Sequence, residues 1–357
     1  QWKPLSKKTV VVSKVVLDRF QIDIKHYKDK IIIGGVNMPL GKTSTEDTEV
    51  INESAETTGV SWAANLGEVI FTDLNICYQQ QSDTEQLSTA DTTIIDYCID
   101  LDKMVWGGSI GYATDNSINT ETDLPLTSAG DFLLTGLTVT DNRLEKDLLV
   151  AQHSALDKVR ISGLNDIHID QLDMQNLSLL QRDDKAHKDA IRFTQLLIND
   201  ISFSSLNSLK LESIEVSEPG IYFVKIDKNN WEYERWLPAT SSDNNKQTPP
   251  ADADKNSAAD SGFSVSLNRL IIDGSDLCYL EKEVSLYYCL TLDKLDWQGP
   301  LDYSTRPRDN ADLNLQLNGE LSLASLNIKN HTISRNLIDV KSLKLSKLAI
   351  DGIDNVS

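Results

Sequence analysis

The 357-residue chain lacks an apolar run of the roughly 18 to 20 residues that a membrane-spanning helix needs, and it lacks a secretory signal. It also has little positive charge, because 34 Lys and Arg face 54 Asp and Glu, for a formal net charge of -20. Nucleic-acid binding needs a basic surface, so we expect no nucleic acid as partner. Since the chain begins at Gln1 and ends at Ser357 inside an alternating pattern, we expect it to be a piece of a longer protein.

No catalytic or metal-binding motif is recognisable. The five histidines are scattered, and none stands in a His-Glu-x-x-His or comparable arrangement. Asp252, Asp254 and Asn256 resemble the start of a calcium loop. However, Ser257 stands where glycine is needed, and Phe263 stands where a bidentate glutamate is needed. We therefore predict a protein that is not an enzyme and that holds no metal and no cofactor.

A strand-loop-strand pattern occurs twice. Residues 69–78 reappear as 270–279, and residues 97–112 reappear as 288–303. In the second segment eight of sixteen positions are identical, where ordinary composition gives about one. Residues 130–164 likewise match 319–353, so the pattern indicates an internal duplication. We predict two tandem β units, residues 1–165 and 166–357, each with a polar, mobile insertion, at 41–59 and 239–262.

Apolar and polar residues alternate through most of the chain, which predicts β-strands. The alternation slips by one residue within each repeated strand, and a β-bulge would absorb the slip. On the return strands we place the bulge at Asp102 and Lys103 and at Asp293 and Lys294. Only residues 181–199 have a spacing that is partly helical. The predicted fold is all-β: an elongated, curled antiparallel sheet, shaped like a trough, built from two copies of one unit.

The four cysteines stand at equivalent places in the two units. On paired strands Cys77 would lie beside Cys98, and Cys278 beside Cys289, at disulfide distance. Each bridge would contribute about 3 kcal/mol and would indicate an oxidising compartment. Reduced cysteines are the alternative, and a zinc site lacks the usual close spacing. The parity of the cysteines places both bridges on the polar face of the sheet.

Large apolar residues at matching places in the two units are candidates for lining a groove. They would hold an apolar chain if the groove is open, or merely cover the inner face if the sheet closes on itself. The candidates are Phe71, Tyr97, Leu101, Met104 and Trp106 in the first unit and Ile272, Tyr288, Leu292, Leu295 and Trp297 in the second.

Several segments resemble AsmA-like bacterial envelope proteins, in particular members built on repeated domains of unknown function. The resemblance lies in the short strands at 209–216 and 317–326. It also lies in the order of Trp-Leu-Pro at 236–238, a low-complexity insertion and a strand from Phe263. It implies a periplasmic protein anchored in the inner membrane by an N-terminal helix absent from this sequence. It further implies a curled sheet whose apolar inside carries or shields lipid acyl chains.

These observations together predict a non-catalytic periplasmic protein that binds or conducts the acyl chains of lipid or phospholipid. Its partners would be the inner membrane, through the absent anchor, and other envelope proteins. The alternative is a disulfide-stabilised scaffold of the cell envelope or of a surface assembly, with a closed sheet and a dry interior. An enzyme, such as a β-helical polysaccharide lyase, is a third hypothesis.

Overall fold

The computed structural model describes residues 9–40, 63–81, 93–113, 126–163, 165–184, 187–205, 207–236, 262–305 and 313–353. Within these ranges the chain forms sixteen β-strands and one short 3-10 helix, Glu232–Trp236. The prediction of an all-β fold is confirmed. Apart from Gly262, the predicted insertions at 41–59 and 239–262 lie outside the described residues.

The sixteen strands belong to one sheet. They are β1 (Thr9–Asp18), β2 (Gln21–His26), β3 (Lys30–Ile33), β4 (Val36–Pro39), β5 (Ala63–Gln81), β6 (Thr93–Ala113), β7 (Leu126–Asp141), β8 (Lys146–Ser162), β9 (Asp166–Gln181), β10 (Asp189–Ser204), β11 (Ser208–Ser217), β12 (Gly220–Lys225), β13 (Ser264–Glu281), β14 (Leu286–Ser304), β15 (Leu313–Asn330) and β16 (Arg335–Ile353). Their order is β16-β15-β14-β13-β11-β10-β9-β8-β7-β6-β5-β2-β3-β4. In addition β1 pairs with β5, and β12 lies between β10 and β13.

Most neighbouring strands are antiparallel, as predicted, but four pairs are parallel. β1 and β2 follow each other along one edge of β5, and β11 and β12 do the same along β13. The wholly antiparallel prediction is wrong for these pairs, because alternation does not depend on strand direction. Two short strands parallel to one long strand thus occur twice in the sheet, while the duplication of a whole unit stays a prediction. The division into units at 165/166 stays a prediction, since β8 and β9 pair directly across that boundary.

The expected helix at 181–199 is wrong, because β9 ends at Gln181 and most of the segment belongs to β10. Apolar residues of β10 are separated by two, three, two and three positions, from Ile191 through Phe193, Leu196 and Ile198 to Ile201. Separations of three mimic helical spacing. In this strand one of them coincides with a left-handed backbone conformation at Asp200, whose φ is 52°.

Residues with a left-handed backbone conformation stand at matching positions on successive strands, so that they form one level across the sheet. On β5, β7, β9, β13 and β15 these residues are Asp73, Gly136, Asn176, Gly274 and Ser325, with φ between 50° and 66°. Arg19 and Glu218 adopt the same conformation where β1 passes to β2 and β11 to β12. A second level contains Lys158, Asp200, Gly299 and Lys347, on β8, β10, β14 and β16. Strands bend at such irregularities, so the two levels curl the sheet along lines that cross the strands.

The prediction of β-bulges at Asp102 and Lys103 and at Asp293 and Lys294 is wrong, because no extra residue is inserted there. Lys103 pairs with Thr72 while Leu101 pairs with Leu74, so the register does not shift between them. The left-handed residues stand instead on the facing strands, at Asp73 and Gly274. On both paired strands the apolar alternation shifts by one residue at the same level. The two strands therefore keep equal numbers of facing residues, and the register is unchanged.

Candidate functional site

Rows of apolar side chains cross the sheet, one residue per strand, on the surface that we call the apolar face. Row one is wholly aliphatic over twelve strands. It consists of Ile22, Ile76, Ile99, Val139, Leu149, Leu179, Ile191, Ile221, Leu277, Leu290, Ile328 and Ile338. Because each member faces the next in the strand register, row one forms an unbroken aliphatic stripe.

Row two lies two residues further along the strands and is interrupted by Ser275. It comprises Leu74, Leu101, Leu137, Ala151, Leu177 and Phe193, then Ser275 and Leu292, then Leu326 and Val340. The first level of left-handed residues follows. There the alternation shifts by one, so the apolar residues beyond it continue the same face.

Rows three and four lie beyond this level, and each again spans twelve strands. Row three is Leu17, Phe71, Met104, Leu134, Ser154, Met174, Leu196, Val216, Ile272, Leu295, Leu323 and Leu343. Row four is Val15, Val69, Trp106, Phe132, Leu156, Leu172, Ile198, Ile214, Leu270, Trp297, Leu321 and Leu345. Every member of row four is apolar.

The apolar face is long and partly exposed to solvent. With strands about 4.8 Å apart, a row across twelve strands is about 50 Å long, compared with about 30 Å for the hydrocarbon core of a bilayer. Few row members are buried; Trp297 and Leu101 are 5% and 6% exposed, while Ile99 and Ile338 are 37% and 45% exposed. In the described part of the chain no second layer packs on this face. A large apolar surface therefore remains in contact with solvent.

All ten candidate groove residues lie on the apolar face. Leu101 and Leu292 belong to row two, Phe71, Met104, Ile272 and Leu295 to row three, and Trp106 and Trp297 to row four. Tyr97 and Tyr288 lie two residues before row one and face Tyr78 and Tyr279. That these side chains line a binding groove stays a prediction.

The central strands contribute row members that we did not select from the sequence, such as Phe132, Leu172, Ile198 and Ile214. For some of these residues the sequence contains a pattern that indicates their place in a row. Apolar residues spaced by two and then three recur in residues 167–179 and 209–216. This spacing matches the rows once one position is skipped at each level of the sheet that contains left-handed residues, whether on the strand itself or on its neighbour.

Both predicted disulfides are present, with Cα–Cα distances of 4.1 Å for Cys77–Cys98 and for Cys278–Cys289. Each joins directly facing residues of an antiparallel pair, one position away from row one. Disulfides indicate an oxidising environment outside the cytoplasm. Asp276 lies near Cys278 and Cys289, but sulphur atoms in a disulfide offer no thiolate to a metal.

The prediction that both bridges lie on a polar face is wrong for the second one. Cys278 and Cys289 are 5% and 6% exposed and pack with Tyr222 and Tyr287. Tyr222 reaches this position because β12 runs parallel to β13 and faces Cys278. The alternating pattern did not indicate that parallel strand, so it could not place an aromatic cover over the sulphur atoms.

Two polar contacts of tyrosine hydroxyl groups, one with an aspartate and one with a histidine, complete this cluster. The Tyr222 hydroxyl donates to Asp276 Oδ2 at 2.6 Å, and burial raises the pKa of Tyr222 to about 12. Tyr287 Oη lies 3.0 Å from His187 Nε2. Burial lowers the pKa of His187, which favours the neutral imidazole. The cluster is therefore held by neutral rings around a buried sulphur bridge.

A pocket lies beside this cluster, where β10 and β12 separate. The two strands pair only through Ile191 with Ile221 and Arg192 with Gly220. The 3-10 helix Glu232–Trp236 contributes to the opening, which has a volume of about 280 Å³. We call it the fissure pocket. Its lining is Leu148, Leu180, Ala190, Ile191, Tyr222, Phe223, Val224, Glu232, Tyr233 and Trp236.

A buried ion pair anchors the wall of the fissure pocket. Arg182 Nε donates to Glu232 Oε2 at 2.8 Å, and the two residues are 6% and 9% exposed. Arg235 lies over the Trp236 ring at 4.5 Å and forms an ion pair with Asp183 at 3.1 Å. These contacts fix the 3-10 helix against β9 and the turn that follows it.

Comparisons of the chain with protein-family models, with curated proteins and with solved structures found no match. Among the residues that the structure describes, no helix has the length and apolar character needed to cross a membrane.

Proposed function

We propose that this protein is a non-catalytic periplasmic envelope protein whose apolar face binds or conducts lipid acyl chains. The observation that carries the proposal is the pair of unbroken apolar rows, one and four, most of whose members are partly exposed to solvent. Burying apolar surface yields about 25 cal/mol per Å², or about 0.8 kcal/mol for each CH₂ group. An acyl chain laid along a row would gain this free energy without any specific polar contact.

The uniform composition of the rows supports conduction as well as binding. A chain that slides from one strand to the next along row one meets an aliphatic side chain at each step. The hydrophobic contribution is non-directional and depends on buried area. Successive positions along a row therefore differ little in free energy, as transport along a groove requires.

The location and partners are part of the same proposal. The two disulfides require an oxidising compartment, and the periplasm is such a compartment. The resemblance to AsmA-like envelope proteins supports phospholipid as cargo, an inner-membrane anchor outside this sequence, and further envelope proteins as partners. The net charge of -20 disfavours a surface that holds many anionic headgroups, so the acyl chains are the recognised part.

Two neighbouring residues on opposite faces of β14 provide a matched test. Leu290 belongs to row one, whereas Thr291 points to the other face and is exposed. Native mass spectrometry of protein extracted from membranes should detect bound phospholipid or fatty acid in the parent protein and in Thr291→Glu. The variant Leu290→Glu should lose most of it, because a carboxylate in the row opposes hydrocarbon binding.

The alternative of a disulfide-stabilised scaffold makes the opposite prediction. It requires protein that is consistently free of lipid and a Leu290→Glu variant that behaves like Thr291→Glu. That result would overturn lipid binding and leave the two bridged hairpins as supports of a structural sheet.

A further inference from the structure

Buried nitrogen atoms without hydrogen-bond partners concentrate around the fissure pocket. Trp236 Nε1 and Arg235 Nε are both buried and unpartnered. Trp236 lines the pocket and is 5% exposed, and Arg235 stacks on its ring. His187 Nδ1 is a third such atom, on a ring 4.1 Å from that of Tyr222. An unsatisfied buried donor is unfavourable, so Trp236 Nε1 on the pocket wall marks a place for an acceptor.

The rest of the pocket is apolar and of a definite size. Its walls include Leu148, Leu180, Ala190 and Val224, and its volume is about 280 Å³. A cavity of about 150 Å³ holds benzene, so the fissure pocket has room for a chain of about a dozen carbon atoms. Ile191 belongs both to this pocket and to row one. Ala190 and Tyr222, however, alternate along their strands with the row-one residues Ile191 and Ile221, so most of the lining lies on the face opposite to the apolar face.

The charged residues at the fissure pocket indicate which kind of hydrogen-bond acceptor it can bind. Glu232 is neutralised by Arg182 and Arg235 is paired with Asp183. The wall thus offers the Trp236 N–H donor without an unpaired full charge, which suits the neutral carbonyl oxygen of an ester or of a protonated acid. Peptides and nucleotides would place more polar groups in this pocket than its donors can satisfy.

We propose that the fissure pocket binds an acyl chain by its carbonyl end. The oxygen accepts a hydrogen bond from Trp236 Nε1, while the hydrocarbon fills the cavity toward Ile191. This inference rests on the proposed function only for the class of ligand. The carbonyl can belong to a free fatty acid or to a lipid ester.

Three probes below their micellar concentrations separate these sources in calorimetric titrations of the full chain. They are laurate, lauroyl-lysophosphatidylcholine and dodecylphosphocholine, of which the last has the same chain length and headgroup as the second but lacks the acyl carbonyl. We expect laurate or the lauroyl ester to bind more tightly than dodecylphosphocholine. Binding of laurate alone identifies a fatty-acid site, and binding of the ester identifies a lipid site. If neither laurate nor the lauroyl ester binds more tightly than dodecylphosphocholine, the proposal is overturned.

Two variants test the assigned atoms. Trp236→Phe keeps a ring but removes the donor, and should weaken the carbonyl probe about three- to tenfold while leaving dodecylphosphocholine unchanged. Ala190→Leu fills the cavity and should abolish binding of the carbonyl probe at the pocket. Trp231→Phe is the matched control, since Trp231 contacts Tyr233 and Tyr279 and does not line the pocket. Circular dichroism melts of each variant establish that it is folded.

Binding in the fissure pocket can be tested separately from lipid binding on the apolar face. Leu290→Glu should remove lipid from the apolar face but keep the Trp236-dependent binding of the carbonyl probe. If the groove proves free of lipid while Trp236→Phe still weakens the probe, the pocket stands without the proposed function. If Trp236→Phe and Ala190→Leu bind like the parent, the pocket proposal is wrong whatever the groove does.

Discussion

The ring of Trp297 lies against Gly319 on the neighbouring strand, where a Cβ atom would stand 3.0 Å from Trp297 Cζ2. The same arrangement joins Trp106 of row four to Gly130, also at 3.0 Å. In both places a glycine lets a large ring lie flat on the adjacent strand. Trp297 Nε1 also donates to the Gly299 carbonyl at 2.8 Å.

Replacing Gly319 by alanine should destabilise the sheet. The added Cβ would come 2.2 Å from the backbone oxygen of Gln298 as well as close to Trp297, so the strands must move apart. We expect a loss of about 1–3 kcal/mol in the free energy of unfolding, measured by urea denaturation. Gly107→Ala is the control, because its Cβ would have no atom nearer than 4.0 Å. Equal loss in both variants would contradict the contact with Trp297.

The two disulfides should differ in their accessibility to reductant. Cys278 and Cys289 are buried under Tyr222 and Tyr287, whereas Cys77 and Cys98 are partly exposed. Thiol attack needs access to a sulphur atom, so Cys77–Cys98 should be reduced first. Timed treatment of the folded protein with dithiothreitol, followed by alkylation and peptide mass spectrometry, measures the order. Tyr222→Ala should speed the reduction of the second bridge but not of the first.

Stability should decrease at high pH because of Tyr222. Burial raises the pKa of this hydroxyl from 10 to about 12, so the folded state keeps a proton that the unfolded state releases. The contribution of this group is complete below pH 10 and is lost as the pH rises toward 12, by about 2–3 kcal/mol. Denaturation between pH 8 and pH 11.5 measures the slope. Tyr222→Phe should have a shallower slope, and an unchanged slope would refute the assignment.

Left-handed positions at one level should respond oppositely to substitution. Gly274 and Ser325 occupy equivalent places on β13 and β15, with φ of 63° and 52°. Gly274→Ala should cost about 1–2 kcal/mol, because an L-residue is strained in this conformation. Ser325→Gly relieves that strain and should be neutral or stabilising by up to about 1 kcal/mol. Thermal unfolding of the two variants provides the comparison, and a loss of stability in both would contradict a shared conformation.

Alternation along the strands was sufficient to predict the all-β fold, both disulfides and the common face of the ten groove candidates. The face on which a strand side chain lies depends only on whether its position is odd or even. This alternation predicted that Cys77 and Cys98 face each other. Strand direction does not depend on parity, so the parallel pairs of β1 with β5 and β11 with β13 were not predicted. The parallel pairing of β12 with β13 was likewise not predicted; it brings Tyr222 to Cys278, and the 3-10 helix after β12 brings Trp236 to the pocket that Ala190 lines. The buried disulfide and the fissure pocket were therefore beyond the reach of sequence patterns.

The left-handed residues have a mechanical consequence for the trough. Asp73, Gly136, Asn176, Gly274 and Ser325 stand at one level in strands joined by continuous hydrogen-bonded ladders. A strand cannot straighten at its left-handed residue without breaking hydrogen bonds to neighbouring strands that remain bent. The opening angle of the two walls is thus a collective property of the sheet, and widening at one end is transmitted along its length.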